Sequence, residues 1–541
     1  MSDLGFRELL DAQPNKLGDA AAEWTRMADK LKRLETQVIN DLVKPLRNSG
    51  WAGNSAEIAY GIFDRLDDEF ELTARQVRNA GILMRWAKEE FGKIQRQLQD
   101  LVNQVRQDGL EIDQQGQVQE PRGYVSTTDP AYPRYQQLIA RAREYNDRIR
   151  RILREANRLD GDVARALWRF LPRNPGEMAH GEWRDASFDA RTTLELMGMH
   201  ERDIPPATTD PRTARRWWDG LTDEQRALYL AAHPDRVGAL DGLPTPTRHE
   251  ANMASLRNLI EARAASDGPT GRLTELLDRL ERSEYGPTER RLYLLGVNNQ
   301  LDGMGIVSVG NPDTARHLGV AVVPGITTTL DDMGGQIERA ERIRQTADNL
   351  TPDVVGDVAV IAWIGYDTPG IVTAPLHSYA DTAAPVLDRF VDGTRVAQEG
   401  EGNLTSHRTI IGHSYGSTVV GLAASQGNGL DVHDIIVAGS PGMRVPDVSH
   451  LNLDARHVWA GRGAYDYVPH IGPPSHGSPD IWPPSIGTAP HSESFGANRF
   501  VVDTTGHTDY WRPDSQSLRN QALIMMGQYR RVGLVHGSPP Q

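Results

Sequence analysis

From Leu292 to Val502 short runs of β-branched and apolar residues alternate with longer amphipathic stretches, and this alternation narrows the possible folds more than any other feature. The runs span 292–297, 305–309, 320–323, 357–364, 409–413, 434–438, 457–460 and 499–502, each of strand length. Between the later ones lie helical patterns such as 333–350 and 382–397. Parallel strands cannot be joined by tight turns and need such crossovers. The expectation for 291–541 is therefore an α/β domain with a mostly parallel sheet of eight strands.

The first third has a different period. Trp24, Met27, Leu31, Leu34, Val38 and Leu42 fall at the three-and-four spacing of one helical stripe, and Asn48-Ser49-Gly50 ends it. Phe63, Phe70, Val77, Met84, Phe91 and Leu98 then follow at intervals of seven, with Leu66, Thr73, Ala80, Ala87, Ile94 and Leu101 as companions. A strict heptad seam has to be covered by another helix. The cover is expected from 24–42, from the stripe Leu138 to Leu159, or from a helical partner or second copy docking on 63–101. These patterns divide the chain into an all-α bundle (1–172), a helical linker and cap-like segment (173–290) in which Thr222 to Gln225 fits a capping box, and the α/β domain (291–541).

Composition removes several classes of function. With 59 basic against 73 acidic residues, the net charge of −14 provides no positive field for nucleic acid or an anionic membrane surface. The absence of cysteine excludes disulfides, thiolate metal sites and a cysteine nucleophile. No apolar run approaches the roughly 20 residues of a membrane helix, and residues 1–13 lack the basic-then-apolar order of an ordinary signal peptide. Neither a zinc-protease helix motif, an EF-hand loop nor a P-loop is present, so no metal and no cofactor is expected.

Gly412-His413-Ser414-Tyr415-Gly416 ends the run 409–413 and opens the small-residue helix from Ser417 to Ala424. An idle serine in a tight strand–helix turn would read the same in five letters, but strand–turn–helix is the setting a nucleophile elbow needs. A serine hydroxyl needs a base, and the base needs an orienting carboxylate, both carried on later loops. Asp466 follows the run 457–460, and His507 follows 499–502 within Thr505-Gly506-His507-Thr508-Asp509. The chain order Ser414, Asp466, His507 is that of the α/β-hydrolases. His470, His476 and His491 are rivals for the base, and Asp447 and Asp480 for the acid. Two backbone amides should hold the oxyanion: that of Tyr415, and that of Ile326 in the bend Pro324-Gly325-Ile326-Thr327 after the third strand. The loop from Gly365 to Gly370 is expected at the mouth of the pocket.

Trp217-Trp218-Asp219, the run from Pro234 to Pro244, Ala251-Asn252, Val323-Pro324-Gly325, Trp363 to Asp367, Gly412 to Gly416 and Gly506-His507 together resemble an actinobacterial family of α/β-hydrolases catalogued as a domain of unknown function. The resemblance implies an α/β-hydrolase fold, a triad of Ser414, Asp466 and His507, and a serine esterase or lipase-like activity on an acyl ester of undisclosed identity. Trp51-Ala52-Gly53, placed between two long helices, is similar to the turn of the WXG proteins of type VII secretion. Their export signal after the second helix is not matched, since Tyr60 and Asp64 stand at its beginning. This likeness implies either export by such a system or a cytoplasmic protein, and an alternative role as an interaction protein whose hydrolase-fold domain is a scaffold or an acyltransferase.

Overall fold

The computed structural model describes residues 3–123, 125–170, 183–299, 303–350, 357–370, 373–374, 378–470 and 487–536. They form two compact units, residues 1–200 and 201–541. The expected segment 173–290 is thus divided, and its part from Glu201 onward is packed into the same unit as the sheet.

In the first unit, α1 (Asn15–Val38), α2 (Asn54–Gln107) and α3 (Tyr132–Arg169) are the long helices. The seam of α2 runs mainly along the companion series: Thr73, Ala80, Ala87, Ile94 and Leu101 are buried and Leu66 is half-buried, whereas of the other series Phe63, Phe70, Val77, Met84 and Phe91 are half-buried and only Leu98 is buried. Seven residues fall short of two full α-helical turns, so one heptad series drifts around a nearly straight helix by about 20° per repeat. Both α1 and α3 pack on this seam, which is therefore covered within the chain. The stripe expected on α1 is not the buried one. Met27, Leu34 and Leu42 are exposed, and Ala21, Ala28 and Glu35 face inward. Small residues there allow close approach to α2, and a π-helical turn at Ile39–Val43 shifts the phase beyond them.

The second unit is built on one sheet of β1 (Leu292–Asn298), β2 (Met304–Val309), β3 (His317–Val323), β4 (Val358–Ile364), β5 (His407–His413), β6 (Asp434–Ala438), β7 (Val458–Gly461) and β8 (Asn498–Arg499). Their spatial order is β1-β2-β4-β3-β5-β6-β7-β8; β2 is antiparallel to β1 and β4, and all other pairs are parallel. Side chains alternate between two cores. On β4, Ala359, Ile361 and Trp363 join the core beneath α7 (Ser378–Gly400) and α8 (Tyr415–Ser425). Val358, Val360, Ala362 and Ile364 join the opposite core, with α6 (Met333–Leu350) and α9 (Gln516–Met525). That opposite core also takes Met253 and Leu256 from α4 (Thr245–Ala265) and Leu273, Leu276 and Leu280 from α5 (Gly271–Glu284). The last strand is shorter than expected: Phe500 N still donates to Ala460 O of β7 at 3.1 Å, but Val501 N donates to Gly533 O at 2.8 Å. The expected capping box is formed, Thr222 N to Gln225 Oε1 at 2.9 Å and Gln225 N to Thr222 Oγ1 at 3.3 Å. Among the described residues no helix is long and apolar enough to cross a membrane.

At the amino ends of β5, β6 and β7 a buried carboxylate knits the sheet together. Asp434 bonds His407 Nε2 at 2.8 Å and His457 Nδ1 at 3.0 Å, and accepts from Trp459 Nε1 at 2.9 Å and Tyr529 Oη at 2.8 Å. Burial works to raise its pKa, and the bonds from His407, His457 and Trp459 outweigh that and lower it. Removing an acceptor shared by four buried or half-buried donors leaves them unpaired. Asp434→Ala should therefore lose about 3–5 kcal/mol of stability in urea unfolding at neutral pH. His457 adds a pH dependence, because its bond to Asp434 raises its pKa against burial. That contribution is complete below the ordinary histidine value of about 6.5 and is lost as pH rises through the raised one. In Asp434→Ala this decline of stability with rising pH should be absent.

Candidate active site

β5 ends at His413, and the chain turns into α8 within one residue. Ser414 sits at that turn with φ 52° and ψ −126°, a conformation that costs a residue with a Cβ about 1–3 kcal/mol. The flanking glycines make the turn possible. A Cβ on Gly416 would lie 2.4 Å from Val323 O and 2.5 Å from Pro324 O, and one on Gly412 would lie 2.7 Å from Ser417 Cα. The elbow is anchored by Ser414 N donating to Ala438 O at 3.0 Å and by Ser417 N donating to Ser414 O at 3.1 Å.

Asp466 and His507, separated by 41 positions in sequence, meet at the same end of the sheet. His507 Nδ1 is 3.0 Å from both carboxylate oxygens of Asp466. Tyr510 donates its hydroxyl to Asp466 Oδ2 at 2.5 Å and accepts from Gly463 N at 3.0 Å, while Val468 N donates to Asp466 Oδ1 at 3.0 Å. Burial pushes the Asp466 carboxyl up, but the bonds from His507 and Tyr510, the His507 charge and the Val468 amide together hold it below the usual carboxylate value. It is an ionised acceptor at neutral pH. Tyr510 is buried and its pKa is raised by burial and by Asp466, so it stays a donor.

The pair is brought to the elbow by two contacts. His413 Nε2 lies 2.7 Å from the backbone oxygen of His507, with ring centroids 4.8 Å apart. Burial, aided by the Arg339 and His507 charges, lowers His413 to about 3, so the ring is neutral and donates to that carbonyl. Gly439 at the end of β6 is the second contact: with φ 60°, a Cβ there would lie 2.7 Å from Asp466 Oδ2 and 3.1 Å from His507 Nδ1. Ser414 Oγ and His507 Nε2 are not hydrogen-bonded to each other; such bonds are often long before substrate arrives.

The bend after β3 closes the other side. A Cβ on Gly325 would lie 2.8 Å from Ser414 Cβ, so the chain passes directly over Ser414, and Ile326 follows it. Thr327 has φ 55° and donates its amide to Pro369 O at 3.0 Å, and Thr328 N donates to Thr368 Oγ1 at 2.9 Å. Tyr366 Oη donates to Pro324 O at 2.8 Å. The Gly365–Gly370 loop thus holds the bend after β3 in place.

Of the rivals, Asp447 caps the turn Val448–His450 at the surface, donated to by Ser449 N at 2.9 Å. His476 and Asp480 lie outside the described residues, as does the side chain of His470. Sequence reasoning missed Tyr510, His413 and Gly439. Tyr510 stands three residues past His507, the only signal available for it, and nothing in sequence marks Gly439 as the floor under a carboxylate. Among the described residues no group of three or more His, Asp or Glu could hold a metal ion.

Residues 300–476 match an alpha/beta hydrolase family, a span that includes Ser414 and Asp466 but stops short of His507. The chain is 29% identical over 385 residues to the uncharacterized protein Rv2079 of Mycobacterium tuberculosis, covering 60% of this chain and 57% of that one. It is 34% identical over 175 residues to the uncharacterized protein Mb0988c of Mycobacterium bovis, covering 30% of this chain and 61% of that one. The chain therefore spans little more than half the length of these relatives. No solved structure matches. The order and directions of the eight strands, with the family match over their middle, give the second unit an α/β-hydrolase fold.

Proposed function

We propose that the second unit is a serine hydrolase that cleaves a carboxylic ester or a related acyl bond through an acyl-enzyme. Ser414 Oγ attacks the carbonyl carbon while His507 Nε2 takes its proton, and Asp466 fixes the imidazole with Nδ1–H toward the carboxylate. The Tyr415 and Ile326 amides receive the oxyanion. His507 then returns the proton to the leaving alcohol, and water repeats the sequence to free the acid and regenerate Ser414. The observation that carries this reading is the equidistant bond of His507 Nδ1 to both oxygens of a buried Asp466, set beside a serine at φ 52°. With p-nitrophenyl acetate, whose activated leaving group makes deacylation the slower step, an acyl-enzyme predicts a pre-steady-state burst of nitrophenol equal to the protein concentration. Linear release from time zero, at any acyl chain length, would count against it.

A second reading concerns the first unit. The turn of its hairpin exposes Leu42, Trp51, Ile58 and Ile62, with Trp51 against Tyr60 at 6.0 Å, and such an apolar tip suits docking or type VII export. Deleting the type VII machinery of the native host should then retain the protein inside the cell. A chain beginning at Glu201 should fold and keep its esterase rate, because every proposed catalytic group lies in the second unit.

A further inference from the structure

A cleft of about 880 Å³ opens over the carboxyl ends of β1 and β4 and the adjoining end of β2, and neither Ser414 nor His507 lines it. Its size is that of a small-molecule site. Val297, Met304, Ile306, Trp363, Val386 and Phe390 make its walls largely apolar. Its charged residues are Asp235, Arg236, Asp241, Arg248, Asp367 and Arg389. Asp235 is exposed and Arg236 is engaged by Glu201; Asp367 stands in the loop after β4.

Of the remaining three, Asp241 and Arg248 are buried and Arg389 is half-buried, two guanidiniums to one carboxylate. Asp241 Oδ1 bonds Arg248 Nη1 at 3.0 Å, and Asp241 Oδ2 bonds Arg389 Nε at 3.3 Å, so one carboxylate serves two guanidiniums. Arg248 is 5% exposed, and its Nε has no partner. The two terminal nitrogens of Arg389 have no hydrogen-bond partner among the described residues, and its side chain is 20% exposed on the cleft wall. Two free, forked donors beside an apolar wall suit a carboxylate or phosphate attached to an apolar body.

The cleft and the elbow lie at the same edge of the sheet, where ligands of open α/β sheets bind. The cleft reaches the end of β4 and the elbow stands on β5, with β3 between them, so two strand spacings, roughly 10 Å, separate them. Tyr366 is common to both: it lines the cleft, and its hydroxyl holds the bend over Ser414. We propose that the cleft binds the far end of the substrate, an ester whose apolar segment crosses from Ser414 and ends in an anionic group held by Arg389. This deepens the serine-hydrolase reading and rests on it for the scissile bond alone.

The test separates the two. Calorimetric titration of the Ser414→Ala protein with monomethyl decanedioate, its dimethyl ester and the analogue bearing a terminal phosphate in place of the free carboxylate reads binding without turnover. The anionic compounds should bind on the order of 10-fold tighter than the dimethyl ester, and Arg389→Gln should erase that difference. Val386→Trp, which fills the cleft and keeps Arg389, should weaken all three. The tighter of the two anionic compounds tells whether the natural terminus is a carboxylate or a phosphate. Equal binding of monomethyl and dimethyl esters, or a preference that survives Arg389→Gln, would overturn the proposal whatever Ser414 does. If Ser414 is not the nucleophile, the Ser414→Ala protein still hydrolyses these esters, while the effect of Arg389→Gln on binding stands.

Discussion

Ser414→Ala should lower hydrolysis of activated esters by on the order of 10⁶, to the level left by binding and the backbone amides alone. Stability should barely change, for a specific reason. Alanine keeps the Cβ, so the strain at φ 52° is the same in both proteins, and the removed hydroxyl makes no hydrogen bond among the described residues. His507→Ala should be about as damaging, and the double variant should lose little more, because base and nucleophile act in one step. Steady-state rates on p-nitrophenyl esters, with thermal unfolding as a control for folding, check all three proteins. Losses that add up in the double variant would mean that the two residues serve different steps.

The second large effect belongs to the acid. Asp466→Asn should reduce turnover by on the order of 10³ to 10⁴ with little change in KM. The amide can offer one oxygen at most to His507 Nδ1, and its NH₂ group would face a donor. The displaced bonds extend further, since Tyr510 Oη and Val468 N also donate to this carboxylate. Rotation of the amide to satisfy Tyr510 would favour the histidine tautomer with its proton on Nε2, which cannot accept from Ser414. A near-normal rate would move the acid role away from Asp466. Asp447, tied to its own surface turn, is poorly placed to take it.

The sheet was legible because its strands carry β-branched runs that alternate between two cores, and β4 shows the alternation residue by residue. The elbow was legible for steric reasons: the carbonyls of Val323 and Pro324 leave no room for a Cβ at position 416. Residues from Glu201 to Arg291 were not, because α4 buries Arg248, His249, Asn252 and Arg257 along with its apolar residues and shows no clean stripe. A helix enclosed on most sides, with charges paired inside, reads in sequence as a polar linker. The seam of α1 was misread for the opposite reason, since alanines carry little hydrophobic signal yet permit the closest approach between helices. Contacts that depend on a distant loop, such as Gly439 beneath Asp466 and His413 against the His507 carbonyl, have no periodic signature.

The most direct test of the triad is the site of covalent modification. A fluorophosphonate probe, which reacts with serines activated by a neighbouring base, should label the intact protein at one equivalent, and peptide mapping should place the phosphonate on Ser414. Labelling should vanish in Ser414→Ala and fall by orders of magnitude in His507→Ala. Stoichiometric labelling at another serine, or ester cleavage by a protein that the probe does not modify, would contradict the account.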